Sequence, residues 1–286
     1  MAKEFNLKPE LTGVFGTPVW ENPTQTMVEA AYRHHDLFWR YLTMDVSPEN
    51  LKDAVAGARA MGFKGFHLTI PHKVAVMEHL DEVADSARVI GAVNTAVRDG
   101  DRFVGYNTDG KGFLESVQDL ENPAGSNVTI LGAGGAARAI CVELALAGAK
   151  AFTIVNRSRE RGTELVDHIQ AHTDATASYL EWSDAIRIPP ETTILVNATS
   201  IGLYPDPGCP PVDFDSLRQE VLVADVIHNP PQTAFLTRAA ERGCRTVDGL
   251  GMLINQGRWS IDLWTGVYPD AEPMRQSLEE LFARIL

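Results

Sequence analysis

Lys73 and Asp109 are the residues of this chain best suited to moving a proton. Lys73 closes the run GFHLTIPHK from Gly65, in which an alternating, strand-like segment that should be half buried stops abruptly at Pro-His-Lys. A lysine whose pKa is adjusted by its surroundings can accept a hydroxyl proton near neutral pH and return it. Alone it is a weak candidate. Downstream, GYNTDGKGF places Asp109 in a turn between glycines just before a helix. A carboxylate near Lys73 would orient the ammonium and share the proton traffic.

A proton acceptor of this kind suits the oxidation of an alcohol if something else takes the hydride, and a second motif supplies that. The stretch NVTILGAGGAARAICVELALAGAKAFTIVNRSRER reads as buried strand, Gly132-Ala-Gly134-Gly135-Ala136-Ala137, helix, then second strand. This is the G-x-G-x-x-A form of the dinucleotide fingerprint. Gly132 permits the tight turn, Gly134 lets the backbone approach a pyrophosphate, and small Ala137 lets the helix sit close to the sheet. The helix start then offers N–H groups to phosphate. An NAD site would place an acid at the tip of the second strand, but this chain has Asn156-Arg157-Ser158-Arg159-Glu160-Arg161. Arg157 and Arg161, with the Ser158 hydroxyl, suit a 2′-phosphate, so the expected cofactor is NADP.

These residues need two kinds of scaffold. The first third mixes signals: strand TGVFG, helix TQTMVEAAYRHH, strand RYLTMDV, helix SPENLKDAVAGARAMG capped by Ser47 with Pro48 in its first turn, a helix around DEVADSARVIG, and a hairpin turning at Asp99-Gly100. After the turn-rich ENPAGSN, continuous apolar strands alternate with helices, which predicts a parallel sheet covered on both faces. The last segment, from MLINQGRWSIDLWTG into helix PMRQSLEELFARIL, leaves that alternation and is expected to pack back on the first domain. The fold class is therefore α/β in two domains: substrate-binding 1–112, Rossmann doubly wound 113–250, and a returning segment 251–286.

Composition narrows the partners. The chain has 286 residues, 44% hydrophobic and 22% charged, which suits a folded protein with a sizeable core. A formal charge of −13 disfavours a sequence-independent grip on nucleic acid or an anionic membrane, so an anionic ligand needs a local positive site. The start MAKEFNLKPE lacks the apolar run of a signal peptide, and no stretch of about 18 apolar residues would span a bilayer. Cys141, Cys209 and Cys244 are odd in number and far apart, which argues against a disulfide framework. The expected setting is the cytoplasm. His168 and His172 stand four apart on a predicted helix but have no third ligand nearby, so they read as a solvated face, and no metal is expected. His34-His35 ends a helix, where positive charge is favourable, and His72 belongs to local structure. Trp20 and Trp259 would line a pocket or pack in a core.

Taken in order, several blocks resemble the shikimate dehydrogenase family: GTP at 16–18, LTIPHK at 68–73, IGAVNT at 90–95, GYNTDGKGF, GAGGAARA, NRSRER, NATSIGL at 197–203, GLGMLINQ at 249–256 and WTG at 264–266. The resemblance spans nearly the whole chain. It implies reversible reduction of 3-dehydroshikimate to shikimate with NADPH, Lys73 and Asp109 as the catalytic pair, and Thr69, Asn94 and Gln256 as contacts to the substrate ring. It also implies that Lys73 projects from a stiffened strand end into an interdomain cleft, that Thr199 flanks the nicotinamide, and that Gly251 and Met252 pack against it.

The departures lie on the substrate side. Where the family reads G-x-P-x-x-H-S-x-S-P, with two serines holding a carboxylate, this chain reads GTPVWENPTQ. Asn22 and Thr24 take the serine positions and Glu21 takes the histidine's. Asn22 and Thr24 still donate hydrogen bonds to a carboxylate, whereas Glu21 repels one unless it points away. His67 replaces the family's asparagine, and His228 replaces the tyrosine of D-x-x-Y-x-P. Shikimate is the leading substrate; quinate, an aminoshikimate or another cyclic polyol acid is the alternative within the same chemistry. A nucleotide-binding module without catalysis is the rival from another class, and a folate-linked dehydrogenase sharing GAGGAA is opposed by the TIPHK and GYNTDG blocks. A homodimer is possible.

Overall fold

The computed structural model describes residues 7–285; residues 1–6, part of the start read above, and Leu286 lie outside the described residues. The chain divides into two units. One runs to Thr108 and resumes at Gly257, and the other is continuous from Asp109 to Gln256. The divisions therefore fall at 108/109 and 256/257 rather than after 112 and 250.

The first unit holds β1 (Glu10–Gly16), α1 (Thr24–His34), β2 (Trp39–Asp45), α2 (Leu51–Met61), β3 (Gly65–Leu68), α3 (His72–Ala75), β4 (Glu82–Val83), α4 (Asp85–Ile90), β5 (Thr95–Asp99) and β6 (Arg102–Tyr106). Its sheet has the order β2-β1-β3-β5-β6-β4 among the described residues, with β1 parallel to both neighbours and the β5–β6 hairpin antiparallel. The hairpin turns where Asp99-Gly100 predicted it, Gly100 taking φ +60°. Ser47 does not cap α2: its Oγ accepts from Asn50 Nδ2 at 3.1 Å, and Pro48–Asn50 form a tight 3-10 turn before the helix.

β3 departs from the half-buried alternation expected of it, because all four of its residues are buried. Phe66 and Leu68 face one side, into a core with Phe15, Val55, Ala58 and Phe103. Gly65 and His67 face the other, where Trp264 covers them. Trp264 Nε1 donates to the Ala96 carbonyl at 3.0 Å, and a Cβ on Gly65 would come within 2.1 Å of that nitrogen. Only glycine leaves room for the indole there.

The second unit holds α5 (Asp109–Val117), β7 (Asn127–Leu131), α6 (Gly135–Leu146), β8 (Ala151–Asn156), α7 (Arg159–His172), β9 (Thr176–Glu181), β10 (Ile186–Arg187), β11 (Ile194–Asn197), β12 (Val212–Asp213), β13 (Leu222–Asp225), α8 (Ala234–Glu241) and β14 (Arg245–Val247). α9 (Gly249–Thr265) contains the division point, and α10 (Ala271–Ile285) follows it in the first unit, where it packs along α1. The order β9-β8-β7-β11-β13-β14, all parallel among the described residues, is the doubly wound arrangement, with chain order reversing between β7 and β11. Apolar runs are continuous because both faces are covered. Val128, Ile130, Ile154, Val196 and Ala224 join a core under α6 and α7, while Leu131, Val155, Leu195 and Val223 join one under α8.

Candidate active site

On the substrate side, within the first unit, backbone bonds dock the GTP block onto the TIPHK block. Thr69 N–H donates to Phe15 O at 3.0 Å and Thr17 N–H to Ile70 O at 3.1 Å. Both blocks contain a cis X-Pro bond, at Thr17-Pro18 and Ile70-Pro71. His72 is buried, and its Nε2–H donates to the Val46 carbonyl at 2.6 Å, which is the local structural role expected of it. Lys73 is half-buried on the first turn of α3, so it rises from a short helix rather than from the strand tip. Its carbonyl accepts from Val93 N–H at 2.8 Å.

That bond places Asn94 next to the lysine's segment. Asn94 is buried, its Nδ2 donates to Thr108 Oγ1 at 2.9 Å, and its Oδ1 accepts from Thr108 N–H at 2.8 Å. Thr95 Oγ1 and Thr108 Oγ1 both meet Ser260 Oγ, at 2.8 and 3.2 Å. A polar cluster from three distant parts of the sequence therefore fixes Asn94 and the residue immediately before Asp109. Sequence reading gave no role to Thr108, although it stands inside GYNTDGKGF, nor to Ser260, an isolated hydroxyl with no motif around it.

The carboxylate-binding serine pair has no direct counterpart. Asn22 Oδ1 accepts from Thr24 N–H at 2.9 Å, closing a turn that starts α1, and Thr24 is buried. Glu21 is exposed beside them. Trp20, 73% exposed, stands with Asn22, Gln25, Thr26, Glu29, Arg33 and Thr43 around an open groove of about 440 Å³. His67 is buried, with Nδ1 2.6 Å from Tyr41 Oη and its ring edge-on to Trp264. Burial holds the Tyr41 phenol well above its ordinary pKa, so it stays protonated. Trp259 packs edge-on against Tyr268.

On the cofactor side, within the second unit, Gly132 takes φ +109°, and a Cβ there would meet the Ala198 carbonyl at 2.9 Å and Thr199 Cγ2 at 3.2 Å. At Gly134 and Gly135 a Cβ would meet nothing within 4 Å, which leaves an open cradle at the start of α6 for phosphate to approach. Ala136 is half-buried, and Ala137 is fully buried in the core, seating α6 on the sheet. At the tip of β8, Asn156 Nδ2 donates to Ser158 O at 2.9 Å, and Ser158 Oγ caps α7 by accepting from Arg161 N–H. Arg157 and Arg161 are exposed, and no carboxylate among the described residues pairs with either. Thr199 Oγ1 donates to Asn197 Oδ1 at 2.7 Å. These features fit a dinucleotide carrying a 2′-phosphate.

Asp109 is half-buried as the first residue of α5, where the helix macrodipole favours a carboxylate. α5 is held close to its neighbours: a Cβ on Gly112 would meet Gln256 N at 2.5 Å, and Lys111 Nζ lies 3.7 Å from buried Glu143 of α6. Gln256 is buried, with Nε2 donating to the Leu253 carbonyl at 2.9 Å. Gly251 N–H is capped by Asp248, and Met252 sits in the core with Val128 and Ile140.

Three family models match in chain order: the shikimate dehydrogenase substrate binding domain over residues 14–96, shikimate / quinate 5-dehydrogenase over 115–202, and the shikimate 5'-dehydrogenase C-terminal domain over 249–279. A shikimate dehydrogenase (NADP(+)) of Desulforamulus reducens is 41% identical over 284 residues, covering 98% of each chain. The chain belongs to the shikimate dehydrogenase family. A shikimate dehydrogenase crystallised in complex with NADP+ aligns at 37% identity and TM-score 0.89, covering 97% of each chain. The 5-ketofructose reductase of Gluconobacter sp. strain CHM43 aligns at 51% identity and TM-score 0.95, covering 97% of this chain and 100% of that one. The matched ranges include Lys73 and Asn94 in the first and the Gly132 turn in the second, while Asp109 lies between the two.

Among the described residues, one group gathers metal-type ligands, His34, His35 and Asp270, with ligand atoms within 4.8 Å of one another. They already satisfy each other at the surface: Asp270 N–H donates to His35 Nε2 at 3.1 Å, and His34 Nε2 lies 3.3 Å from the Asp270 carboxylate. No helix of the described residues is long and apolar enough to cross a membrane.

Proposed function

We propose that this protein is an NADP(H)-dependent reductase of a polyhydroxylated ketone lacking a carboxylate, with 5-ketofructose the first compound to test. The observation that carries this is the start of α1. There Asn22 Oδ1 is committed to Thr24 N–H, Thr24 is buried, and Glu21 is exposed alongside. Two free serine hydroxyls suit a carboxylate; a closed Asn–Thr turn beside a negative charge suits a neutral polyol. The exposed Trp20 beside a groove that Asn22, Gln25, Thr26 and Thr43 share with the ion pair Glu29–Arg33 supports the same chemistry, since a sugar's C–H face stacks on an aromatic ring. The 51% identity to 5-ketofructose reductase points the same way.

The nicotinamide cofactor, when bound, supplies or accepts the hydride. The open cradle at Gly134-Gly135 would hold its phosphates, and Arg157, Arg161 and Ser158 would hold the 2′-phosphate. In reduction, Lys73 as ammonium gives its proton to the alkoxide oxygen as that charge develops; in oxidation it takes the proton back. Asp109 is the carboxylate assigned to share the proton traffic with it. Asn94, fixed by Thr108, and Thr69, anchored to β1, donate hydrogen bonds to substrate hydroxyls. The three cysteines are unpaired, in keeping with a cytoplasmic setting.

A second reading, shikimate dehydrogenase, is favoured by the 41% identity to the Desulforamulus reducens enzyme. Initial rates with NADPH and 5-ketofructose, and with NADP+ and shikimate or quinate, separate the two. The expected result is a specificity constant for 5-ketofructose well above the others. A preference for shikimate would overturn the carboxylate-free assignment and leave the family's usual substrate.

A further inference from the structure

Asp225 ends the strand LVAD of β13 and is 1% exposed, a position where a carboxylate costs stability unless its oxygens are bonded. Oδ1 accepts from Asn197 Nδ2 and from Ile227 N–H, each at 3.0 Å, and Oδ2 accepts from Thr233 Oγ1 at 2.8 Å. Each partner belongs to a different stretch. Asn197 is the paired residue on β11, Ile227 lies in the loop after β13, and Thr233 caps α8 by accepting from Leu236 N–H.

From Asn197 the network continues outward. Its Oδ1 accepts from Thr199 Oγ1 at 2.7 Å and Thr199 N–H at 3.2 Å; its Nδ2 also donates to Ile201 O at 3.2 Å. Thr199 Oγ1 in turn accepts from Ile201 N–H at 3.1 Å. The turn so fixed is the one whose Ala198 carbonyl and Thr199 methyl press on Gly132. A buried carboxylate at one end of a hydrogen-bonded chain thus meets the fingerprint glycine at the other.

We propose that Asp225 is a positioning residue for the cofactor: it ties the 198–203 turn and the start of α8 together, so that the turn holds its place against Gly132. The inference rests on the reading that a dinucleotide binds at that glycine, and it assigns a role to a buried residue whose carboxylate oxygens are engaged by protein partners. Burial pushes the Asp225 carboxyl up to about 6, so ionisation is retained at neutral pH against a desolvation cost. The charged and titratable groups around it are few. The Cys209 thiol feels its charge, Arg238 of α8 neighbours that thiol, and His228, whose own pKa burial lowers, follows on the same loop.

NADPH binding to the full chain, by quenching of protein fluorescence, tests this with D225A, D225N and T233V. D225A is expected to weaken NADPH binding about tenfold or more, while kcat at saturating NADPH changes far less. D225N, whose amide oxygen keeps the Asn197 and Ile227 bonds, should recover most of the affinity. T233V keeps the carboxylate and lies on another element, so a several-fold loss there would travel through Asp225; it also serves if D225A fails to fold. Variants that are folded and bind NADPH as wild type does would overturn the inference. A wild type that takes up no NADPH would overturn the reading beneath it, and the inference with it.

Discussion

The two units solve their tasks by different means. In the second unit, the cofactor cradle is backbone: a left-handed glycine, two glycines facing open space and the start of α6. Such a site depends on residue size and on chain direction, so a short motif announces it. In the first unit, the residues on the proposed substrate side are side chains held by other side chains: Asn94 by Thr108, Thr108 by Ser260, and His67 by Tyr41. A site built that way can exchange one polar residue for another and keep its fold. Asn22 and Thr24 at the serine positions of the family pattern, beside an intact Lys73 segment, are an exchange of that kind.

The comparison breaks first, and most visibly, at Lys73. K73A should lower kcat by roughly 10²–10⁴-fold in either direction while NADPH binding is retained, since the lysine belongs to the first unit and the cradle to the second. Comparable loss of cofactor binding would remove the distinction.

Asp225 offers the next largest effect, in stability. Its folded carboxyl holds a proton more tightly than the unfolded chain does, so its ionisation lowers stability as pH rises from about 4 through about 6, and the cost is constant above that. The rise from 3.8 to about 6 corresponds to about 3 kcal/mol. Urea midpoints at several pH values should show wild type gaining on D225N by roughly that amount as pH falls through this window. Parallel curves would mean the carboxyl is not buried as described.

R157A/R161A should weaken NADPH by tens of fold and leave NADH nearly unchanged, as lost charge-assisted bonds require. Equal effects on both cofactors would remove the 2′-phosphate assignment. N22S/T24S restores two hydroxyls and should raise the shikimate-to-ketofructose ratio of specificity constants about tenfold; an unchanged ratio would place substrate choice elsewhere. The smallest effect belongs to H67N, which swaps the Tyr41 bond for the family's residue and should cost about 1 kcal/mol in urea unfolding.

What could be read in the sequence follows the same line. The hairpin at Asp99-Gly100, the strand–helix alternation after residue 126 and the Gly132 turn are local rules, and each lies where its motif stands. The full burial of β3 was not legible, because its cover, Trp264, comes from almost 200 residues downstream (about one whole Rossmann unit later). Nor was the Asp225 network, since a carboxylate ending a strand reads the same whether water or Asn197 receives it. Ser47 failed as a cap because a 3-10 turn intervened before α2.

The seat of Trp264 over Gly65 bears on how the chain is made. The first unit has segments on either side of the second in chain order, so a ribosome releases β1 to β6 long before the last helices that cover them. During that interval Tyr41, His67 and Met27, all buried in the finished protein, face solvent or a chaperone. The second unit is one continuous stretch and has every strand it needs before Gly257 is added. Order of synthesis and order of completion are therefore reversed. Release of a nascent chain that stops at Gln256 should yield a finished nucleotide unit attached to an open, aggregation-prone sheet.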